Sequence, residues 1–296
     1  MDIPSLQRKL DEAKYICSGD VAATLLVALQ LGRPLLIEGP AGVGKTEIAK
    51  VMAAALGREL VRLQCYEGLD ESKALYEWNY QKQLLSIQVQ MDRRDADELT
   101  KSLFSDEYLL ERPLLRAIRS QEPVVLLIDE IDKSDEEFEA FLLELLSEMQ
   151  VTIPETGVVK ARSIPFVVLT SNRTRPLGEA LRRRCAYLYL QYPDIQRETA
   201  IIRAKRPNVN EHLALQVAQA IHDLRQSEAI LKKPSIAETL DWVSALEALG
   251  VSDLNREAAR QTMGFVLKGN EDLEAAGDVL CGHDHEHCGA CGHGQA

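Results

Sequence analysis

The sequence of 296 residues predicts an α/β fold, in which helices sandwich a parallel β-sheet, followed by a small all-helical domain and a flexible C-terminal tail. Three observations predict it. A glycine-rich segment at residues 39–46 joins a short apolar strand to an amphipathic helix. The apolar run at 124–128 is typical of a strand buried on both faces of a parallel sheet. After Pro193, the apolar residues have helical spacing.

The glycine-rich segment has the pattern of a phosphate-binding loop, G-x-x-x-x-G-K-T, in the required strand–loop–helix context. Its residues are Gly39, Pro40, Ala41, Gly42, Val43, Gly44, Lys45 and Thr46. The glycines let backbone N–H groups turn toward phosphates, and the helix that follows adds its positive N-terminal end. We expect Lys45 to reach the β- and γ-phosphates of ATP and Thr46 to hold Mg²⁺ through its hydroxyl.

Two carboxylates, Asp129 and Glu130, follow the apolar run directly. This places them at the carboxyl edge of the predicted sheet, where ligands of α/β proteins bind. We expect Asp129 to coordinate Mg²⁺ and Glu130 to orient and deprotonate the attacking water. Simple capping of the strand is the alternative interpretation.

A third strand is predicted at 164–170 and is followed by Ser171 and Asn172. An amide beside the two carboxylates can hydrogen-bond the γ-phosphate or the lytic water. An asparagine after a strand is usually a turn residue, so the prediction depends on the order of the motifs along the chain.

The composition excludes several classes of function. A net charge of −12 argues against nucleic acid as a ligand, because its phosphates would be repelled. The N-terminus lacks the apolar core of a secretory signal, and no apolar stretch reaches the ~18–20 residues that span a bilayer. We therefore expect a cytoplasmic protein without a transmembrane segment, with peripheral membrane association left open. Its cysteines are expected to be thiols or metal ligands rather than disulfides.

Four segments, in this order, resemble the AAA+ ATPases and within them the MoxR-type branch. They are GPAGVGKT at 39–46, VVLLIDEID at 124–132, VVLTSN at 167–172 and EALRRRCAYLYLQYPD at 179–194. The resemblance implies a P-loop AAA+ core that hydrolyses ATP between the subunits of a homo-oligomer, usually a hexameric ring. It also implies a von Willebrand factor A domain partner protein.

The resemblance assigns roles to further residues. Asn172 matches the sensor-1 asparagine of the family. The basic run 182–184 is similar to the arginine finger that enters the neighbouring subunit's ATP site, with Arg184 as the best match and Arg183 as the second choice. A solvated basic surface is the alternative.

Two segments resemble elements that face the pore and the substrate in the MoxR branch. They are an insert at 65–90 and a β-hairpin at 149–163; a purely structural connection is the alternative for both. One position departs from the family, since Ala237, followed by Glu238, stands where a sensor-2 arginine is often found. We expect weaker coupling between hydrolysis and lid closure as a result.

These patterns predict three regions. They are an αβ nucleotide-binding domain at 1–193, a helical lid domain at 194–268 and a flexible, metal-binding tail at 269–296. Helices are predicted in the lid at 195–206, 211–226, 235–249 and 254–268.

The tail is rich in metal ligands, with three of the six cysteines and four of the six histidines of the chain. Thiolates and imidazoles together favour Cu(I) or Zn²⁺. The candidate ligands outnumber the four that a structural zinc site needs, which favours a carrier or a sensor. A structural zinc site and a tail without a role remain alternatives. The candidates are Cys281, Cys288, Cys291, His283, His285, His287 and His293.

The favoured function is that of an ATP-hydrolysing chaperone of the MoxR type. The metal-binding tail suggests a client metalloenzyme under maturation, and the resemblance points to molybdenum–copper carbon monoxide dehydrogenase. Two alternatives stay open. One is an activase similar to those that free inhibited Rubisco, and the other is a metal-binding regulatory module in which nucleotide is only a switch.

Overall fold

The computed structural model describes residues 1–90 and 103–281, and the side chains of 89–90 and 278–281 are outside the description. The chain forms two compact units. The first consists of Met1–Gly39 and Lys45–Leu190, and the second of Pro40–Gly44 and the chain from Gln191 onwards. The structural division thus falls three residues before the predicted boundary at 193. Residues 40–44 group with the helical unit, which the sequence did not predict.

The first unit alternates helices and strands along the chain. Its elements are α1 (Ile3–Glu12), α2 (Gly19–Gln30), β1 (Leu35–Glu38), α3 (Lys45–Leu56), β2 (Leu60–Gln64), α4 (Glu71–Ala74), β3 (Tyr76–Trp78), α5 (Tyr80–Gln90), β4 (Leu109–Glu111), α6 (Pro113–Arg119), β5 (Val125–Asp129), α7 (Glu136–Glu148), β6 (Gln150–Ile153), β7 (Gly157–Lys160), β8 (Phe166–Ser171), α8 (Glu179–Arg184) and β9 (Ala186–Tyr189).

A five-stranded parallel sheet in the order β2-β5-β8-β1-β9 organises this unit. Every residue of β1, β5 and β8 is buried, as expected for inner strands covered on both faces. Helices such as α3 and α6 pack against strands of the sheet. The predicted α/β class with a parallel sheet is confirmed.

Two small antiparallel ladders are inserted between strands of the main sheet, one between β2 and β5 and one between β5 and β8. The strands β6 and β7 pair around residues 154–156, which confirms the predicted hairpin. The strands β3 and β4 pair across a long separation, with Tyr76 opposite Glu111 and Trp78 opposite Leu109. The sequence did not predict this second ladder.

The second unit is helical beyond Leu190. Its helices are α9 (Ile195–Lys205), α10 (Glu211–Gln226), α11 (Ile236–Ala248), α12 (Arg256–Thr262) and α13 (Asn270–Cys281). Their apolar faces enclose a core around Trp242, which is fully buried. The Trp242 indole N–H donates to Thr262 Oγ1 at 2.7 Å, so its polar edge is satisfied inside the core.

The helix α13 corrects the prediction that the chain loses packed structure at residue 269. Ala276 is buried in the core of the second unit, at 1% exposure. The buried carboxylate of Asp272 accepts the backbone N–H groups of Leu231, at 2.7 Å, and Lys232, at 3.3 Å. These hydrogen bonds and this packing hold a segment whose composition alone suggested a solvated linker.

The described part of the chain has no helix that is both long enough and apolar enough to span a membrane.

Candidate functional site

The strand β5 ends at the carboxyl edge of the sheet with Asp129, which is 2% exposed. Its two oxygens have different partners. Oδ1 accepts the hydroxyls of Thr46, at 2.9 Å, and Thr170, at 2.5 Å. Oδ2 accepts the guanidinium of Arg62 at 2.6 Å. The structure therefore brings together Thr46 and Asp129, which lie 83 positions apart in the sequence.

Glu130 adopts a left-handed backbone conformation, with φ 56° and ψ 49°. Such a conformation is unfavourable for a residue with a side chain and needs support from its surroundings. Thr170 supplies part of it, since its Oγ1 accepts the Glu130 N–H at 2.9 Å. The carboxylate oxygen Oε2 accepts Gln64 Nε2 at 2.9 Å and the ammonium of Lys133 at 2.6 Å.

The Lys45 side chain is buried at the start of α3, and its ammonium donates to the carbonyl of Gly39 at 2.7 Å. Burial lowers the pKa of this ammonium, because a charge is less well solvated away from water. The nearby carboxylates of Asp132, Asp129 and Glu130 oppose that shift. A positive charge beside three acids, at the start of a helix, is a setting in which a lysine can bind phosphate.

Asn172 follows β8, the strand next to β5 in the sheet. The loop that begins there is fixed by Asp132, whose carboxylate accepts the N–H groups of Asn172, at 3.2 Å, and Thr174, at 2.9 Å. Burial alone would raise the pKa of Asp132, but the hydrogen bonds from Thr174 and Asn172 outweigh it and lower that pKa. The aspartate therefore stays charged and ties the asparagine loop to the end of β5.

The donor set at the edge of the sheet fits Mg²⁺. A hydroxyl and a carboxylate oxygen, from the half-buried Thr46 and the buried Asp129, lie 2.9 Å apart. Mg²⁺ prefers hard oxygen ligands and is usually held by one or two carboxylates together with substrate phosphates. Both residues could hold the ion when nucleotide brings its own phosphate oxygens.

The loop residues 40–44 have close neighbours within the second unit. The N–H of Ile236 donates to the Gly42 carbonyl at 3.3 Å. Gly42 has a φ of +70°, and a Cβ added there would lie 2.3 Å from Cβ of Ser235, the N-cap of α11. Only glycine fits this position.

Replacing Gly42 by alanine is expected to weaken nucleotide binding by more than about tenfold. The change adds about 1–2 kcal/mol of backbone strain at positive φ, and the new methyl must displace Ser235. Gly250 has a similar φ of +69° but open space around its Cβ position. Gly250→Ala is therefore the matched control, and titration with a fluorescent nucleotide measures the difference. Equal affinities of the two variants would contradict the steric argument.

The three arginines of α8 have different environments. Arg182 donates to the buried carboxylate of Glu38 at 3.2 Å. Arg183 pairs with Glu179 of its own helix, and the Arg183 side chain is 75% exposed. Arg184 is exposed and donates to Ser147 Oγ and, at 3.0 Å, to the Ala180 carbonyl.

Glu38 forms a cluster that the sequence did not reveal. It immediately precedes the glycine-rich loop and is 2% exposed. Its carboxylate accepts Tyr187 Oη at 2.9 Å and lies 3.6 Å from Arg173 Nε, in addition to the contact with Arg182. Glu38 therefore holds Arg182 within the same subunit, although all three arginines of the run are exposed.

The position of the expected sensor-2 arginine lies in the first turn of α11, where Ala237 is exposed. The ammonium of Lys233, the nearest preceding lysine, donates to the Ser227 carbonyl. The expected effect on lid closure remains a prediction.

The predicted tail ligands lie largely outside the described residues. Cys281 ends α13 and its side chain is not described; residues 282–296, with the other six candidates, are outside the description altogether. Among residues 1–90 and 103–281, no group of three or more histidine, cysteine and acidic side chains could hold a metal ion. Cys65 and Cys185 are buried thiols, and burial raises the pKa of each to about 12.

Comparison with known proteins gives independent evidence on the family and the fold of the chain. The family model described as AAA domain (dynein-related subfamily) matches residues 34–185, just over half of the chain. A RuvB mutant from Thermotoga maritima superimposes with a TM-score of 0.52 at 18% identity, over 90% of this chain and 75% of that one. This likeness shows the fold.

Three relatives are similar along most of the chain. The gas vesicle ATPase GvpN of Ancylobacter aquaticus is 27% identical over 238 residues, which cover 76% of this chain and 64% of that protein. Protein NorQ of Paracoccus denitrificans is 24% identical over 202 residues, 65% of either chain. The denitrification regulatory protein NirQ of Stutzerimonas stutzeri is 24% identical over 237 residues, 77% of this chain and 76% of that protein.

Proposed function

Because the chain belongs to the AAA domain family, dynein-related subfamily, and is a MoxR-type AAA+ ATPase, we propose that it remodels a client metalloenzyme during assembly of the client's metal centre. The observation that carries this proposal is the combination in one chain of an ATPase site with a terminal cluster of thiols and imidazoles. An ATPase supplies mechanical work, and soft ligands favour Cu(I) or Zn²⁺.

In the proposed mechanism, the loop 39–46 cradles the phosphates of ATP, and the Lys45 ammonium binds the β- and γ-phosphate oxygens. Thr46 and Asp129 would hold Mg²⁺, which would neutralise charge at the phosphates. Glu130 accepts the proton of the attacking water, and Asn172 orients that water or the γ-phosphate. Gln64 Nε2 and the Lys133 ammonium donate to the Glu130 carboxylate at 2.9 and 2.6 Å and hold it in place.

The proposed client surface is the insert at 65–90 together with the β6–β7 hairpin. Apolar side chains are exposed on α5, with Tyr80 at 63%, Leu84 at 61% and Leu85 at 62%. The hairpin exposes Val158 at 54%. A cavity of about 700 Å³ is lined by α4, β3 and the hairpin turn, and Tyr76 Oη donates to Glu155 there at 3.3 Å. Exposed apolar groups beside a cavity favour contact with another polypeptide.

We propose that the protein acts in the cytoplasm as a homo-oligomer, most simply a hexameric ring, with a von Willebrand factor A domain partner. The proposed client is a molybdenum–copper carbon monoxide dehydrogenase, which would make the chain similar in role to the maturation chaperone CoxD. Activation of Rubisco is the second candidate function for the same ATPase site, but it assigns no role to the metal-ligand tail.

Co-expression with the two classes of client tests this proposal. With molybdenum–copper dehydrogenase subunits, the full chain is expected to raise the copper content of the purified client, measured by elemental analysis. Both Glu130→Gln and truncation before Cys281 should abolish the increase. Titrating the chaperone with Cu(I) and Zn²⁺, before and after truncation, measures metal uptake by the tail directly. Activation of inhibited Rubisco, with no effect on the dehydrogenase, would favour the second candidate.

A shared active site between subunits gives a further prediction for Arg184. Arg184→Ala is expected to lower ATP turnover by about 10³-fold, since an arginine that reaches a neighbour's γ-phosphate stabilises the transition state. Mixing this variant with Glu130→Gln should restore part of the activity. In mixed oligomers, an interface can combine the intact Glu130 of one variant with the intact Arg184 of the other.

Phosphate release measured across mixing ratios checks this prediction, and the same series with Arg183→Ala decides between the two arginines. Arg182→Ala is expected to give no complementation, because Glu38 holds Arg182 within its own subunit. A mixture no more active than the mean of its components would rule out a shared site that uses Arg184.

A further inference from the structure

We propose that Arg62 is a positioning residue that competes with Mg²⁺ for the carboxylate of Asp129. By this competition, Arg62 sets the Mg²⁺ concentration at which nucleotide binds. The inference rests on the proposed role of Asp129 as a ligand of Mg²⁺ and goes beyond it. No motif in the sequence singles out Arg62, which lies in the strand β2 between Val61 and Leu63.

The two carboxylate oxygens of Asp129 have donors of different charge. One carboxylate oxygen receives only neutral donors, the hydroxyls of Thr46 at 2.9 Å and Thr170 at 2.5 Å. The other oxygen receives the guanidinium of Arg62 at 2.6 Å. A carboxylate that is 2% exposed needs a compensating charge, and Arg62 is in direct contact with it.

The place of Arg62 in the fold allows its side chain to move. The strand β2 lies at the edge of the parallel sheet, and the Arg62 side chain is 49% exposed although the carboxylate it binds is buried. A second hydrogen bond, from Arg62 to Gln64 Oε1 at 2.5 Å, keeps the guanidinium along the strand. An arginine with one face in solvent is rehydrated when it leaves, and a bound Mg²⁺ would supply the charge that the buried carboxylate needs.

Two cations close to one carboxylate repel each other, so Arg62 and Mg²⁺ compete for Asp129. Without metal, the guanidinium adds positive charge where the phosphates of a nucleotide bind and favours metal-free nucleotide. With metal, the same charge opposes binding of the ion. Neutralising Arg62 should therefore weaken metal-free nucleotide binding and strengthen binding of Mg²⁺. A merely structural residue would shift both in the same direction.

Titration with a fluorescent ADP analogue tests the inference without hydrolysis. Wild type, Arg62→Gln and Arg62→Lys are compared in excess EDTA and across a range of Mg²⁺ concentrations. For Arg62→Gln, we expect the Mg²⁺ midpoint to fall about tenfold and the affinity in EDTA to fall as well. Arg62→Lys keeps the charge and should stay within about threefold of wild type in both measurements. Arg62→Met provides a second uncharged variant if glutamine impairs folding.

The control is Arg116→Gln. Arg116 forms an exposed ion pair with Glu59, next to the opposite end of β2, and should change neither value. An unchanged or raised Mg²⁺ midpoint in both uncharged Arg62 variants would overturn the inference. Asp129→Asn, measured alongside, tests the premise separately: if its Mg²⁺ midpoint equals that of wild type, the proposed magnesium role of Asp129 is wrong and the inference is lost with it.

Discussion

Replacing Glu130 by glutamine is expected to reduce ATP turnover by about 10²–10⁴-fold while nucleotide affinity stays within a factor of about three. Glutamine has the same shape and can keep the contacts with Gln64 and Lys133, but it cannot accept the proton of the attacking water. The backbone of Glu130, fixed by Thr170 Oγ1 at 2.9 Å, should be unaffected. Phosphate release under saturating ATP measures turnover.

The matched control is Glu137→Gln, since Glu137 is an exposed glutamate in the first turn of α7. It loses the same charge away from the site and should retain full activity. If Glu130→Gln hydrolysed ATP at the wild-type rate, Glu130 would not be the general base, and nucleotide would act as a switch at most.

The second large effect is expected on stability, from Arg225→Met in the second unit. Arg225 forms a bidentate ion pair with Glu198, and the two side chains are 5% and 1% exposed. Removing the arginine leaves a buried, unpaired carboxylate, which should lower the free energy of unfolding of this unit by about 3–5 kcal/mol. Arg225 also donates to the Pro234 carbonyl at 2.8 Å and lies 4.4 Å from the Tyr192 ring, so the loss extends beyond the pair.

The two tryptophans allow this effect to be measured in the second unit alone. Trp78 belongs to the first unit and Trp242 to the core of the second, so a Trp78→Phe background leaves Trp242 as the reporter during urea unfolding. The double variant Glu198→Leu with Arg225→Met should be less destabilised than Arg225→Met, because no charge remains buried. A loss below about 1 kcal/mol for the single variant would show that the pair is dispensable.

The motifs that carry nucleotide chemistry were predictable because each is local. The glycine-rich loop joins β1 to α3, and the apolar run ends at Asp129 as expected. The third strand begins at Phe166 rather than Ile164, which is 60% exposed. Proline at 165 cannot donate to a ladder, which explains the later start.

The residues that complete the site were not predictable, because their partners are distant in sequence. Arg62 and Asp129 are 67 positions apart, and Glu38 and Arg182 are 144 apart. The strand β2 that carries Arg62 and Gln64 has polar residues among its apolar ones and was missed in the sequence. Asp132 was read only as part of a motif, although its carboxylate anchors the asparagine loop.

The ladder between β3 and β4 makes the segment at 79–108 a candidate for exchange by protein engineering. Backbone hydrogen bonds hold its two ends side by side, since Tyr76 pairs with Glu111 and the Asn79 N–H donates to the Tyr108 carbonyl at 2.8 Å. Once the ends of a loop are fixed, doubling its length costs only about 0.6 kcal/mol in closure entropy. A longer, shorter or foreign segment could therefore be grafted between these strands without altering the sheet that holds Asp129 and Glu130.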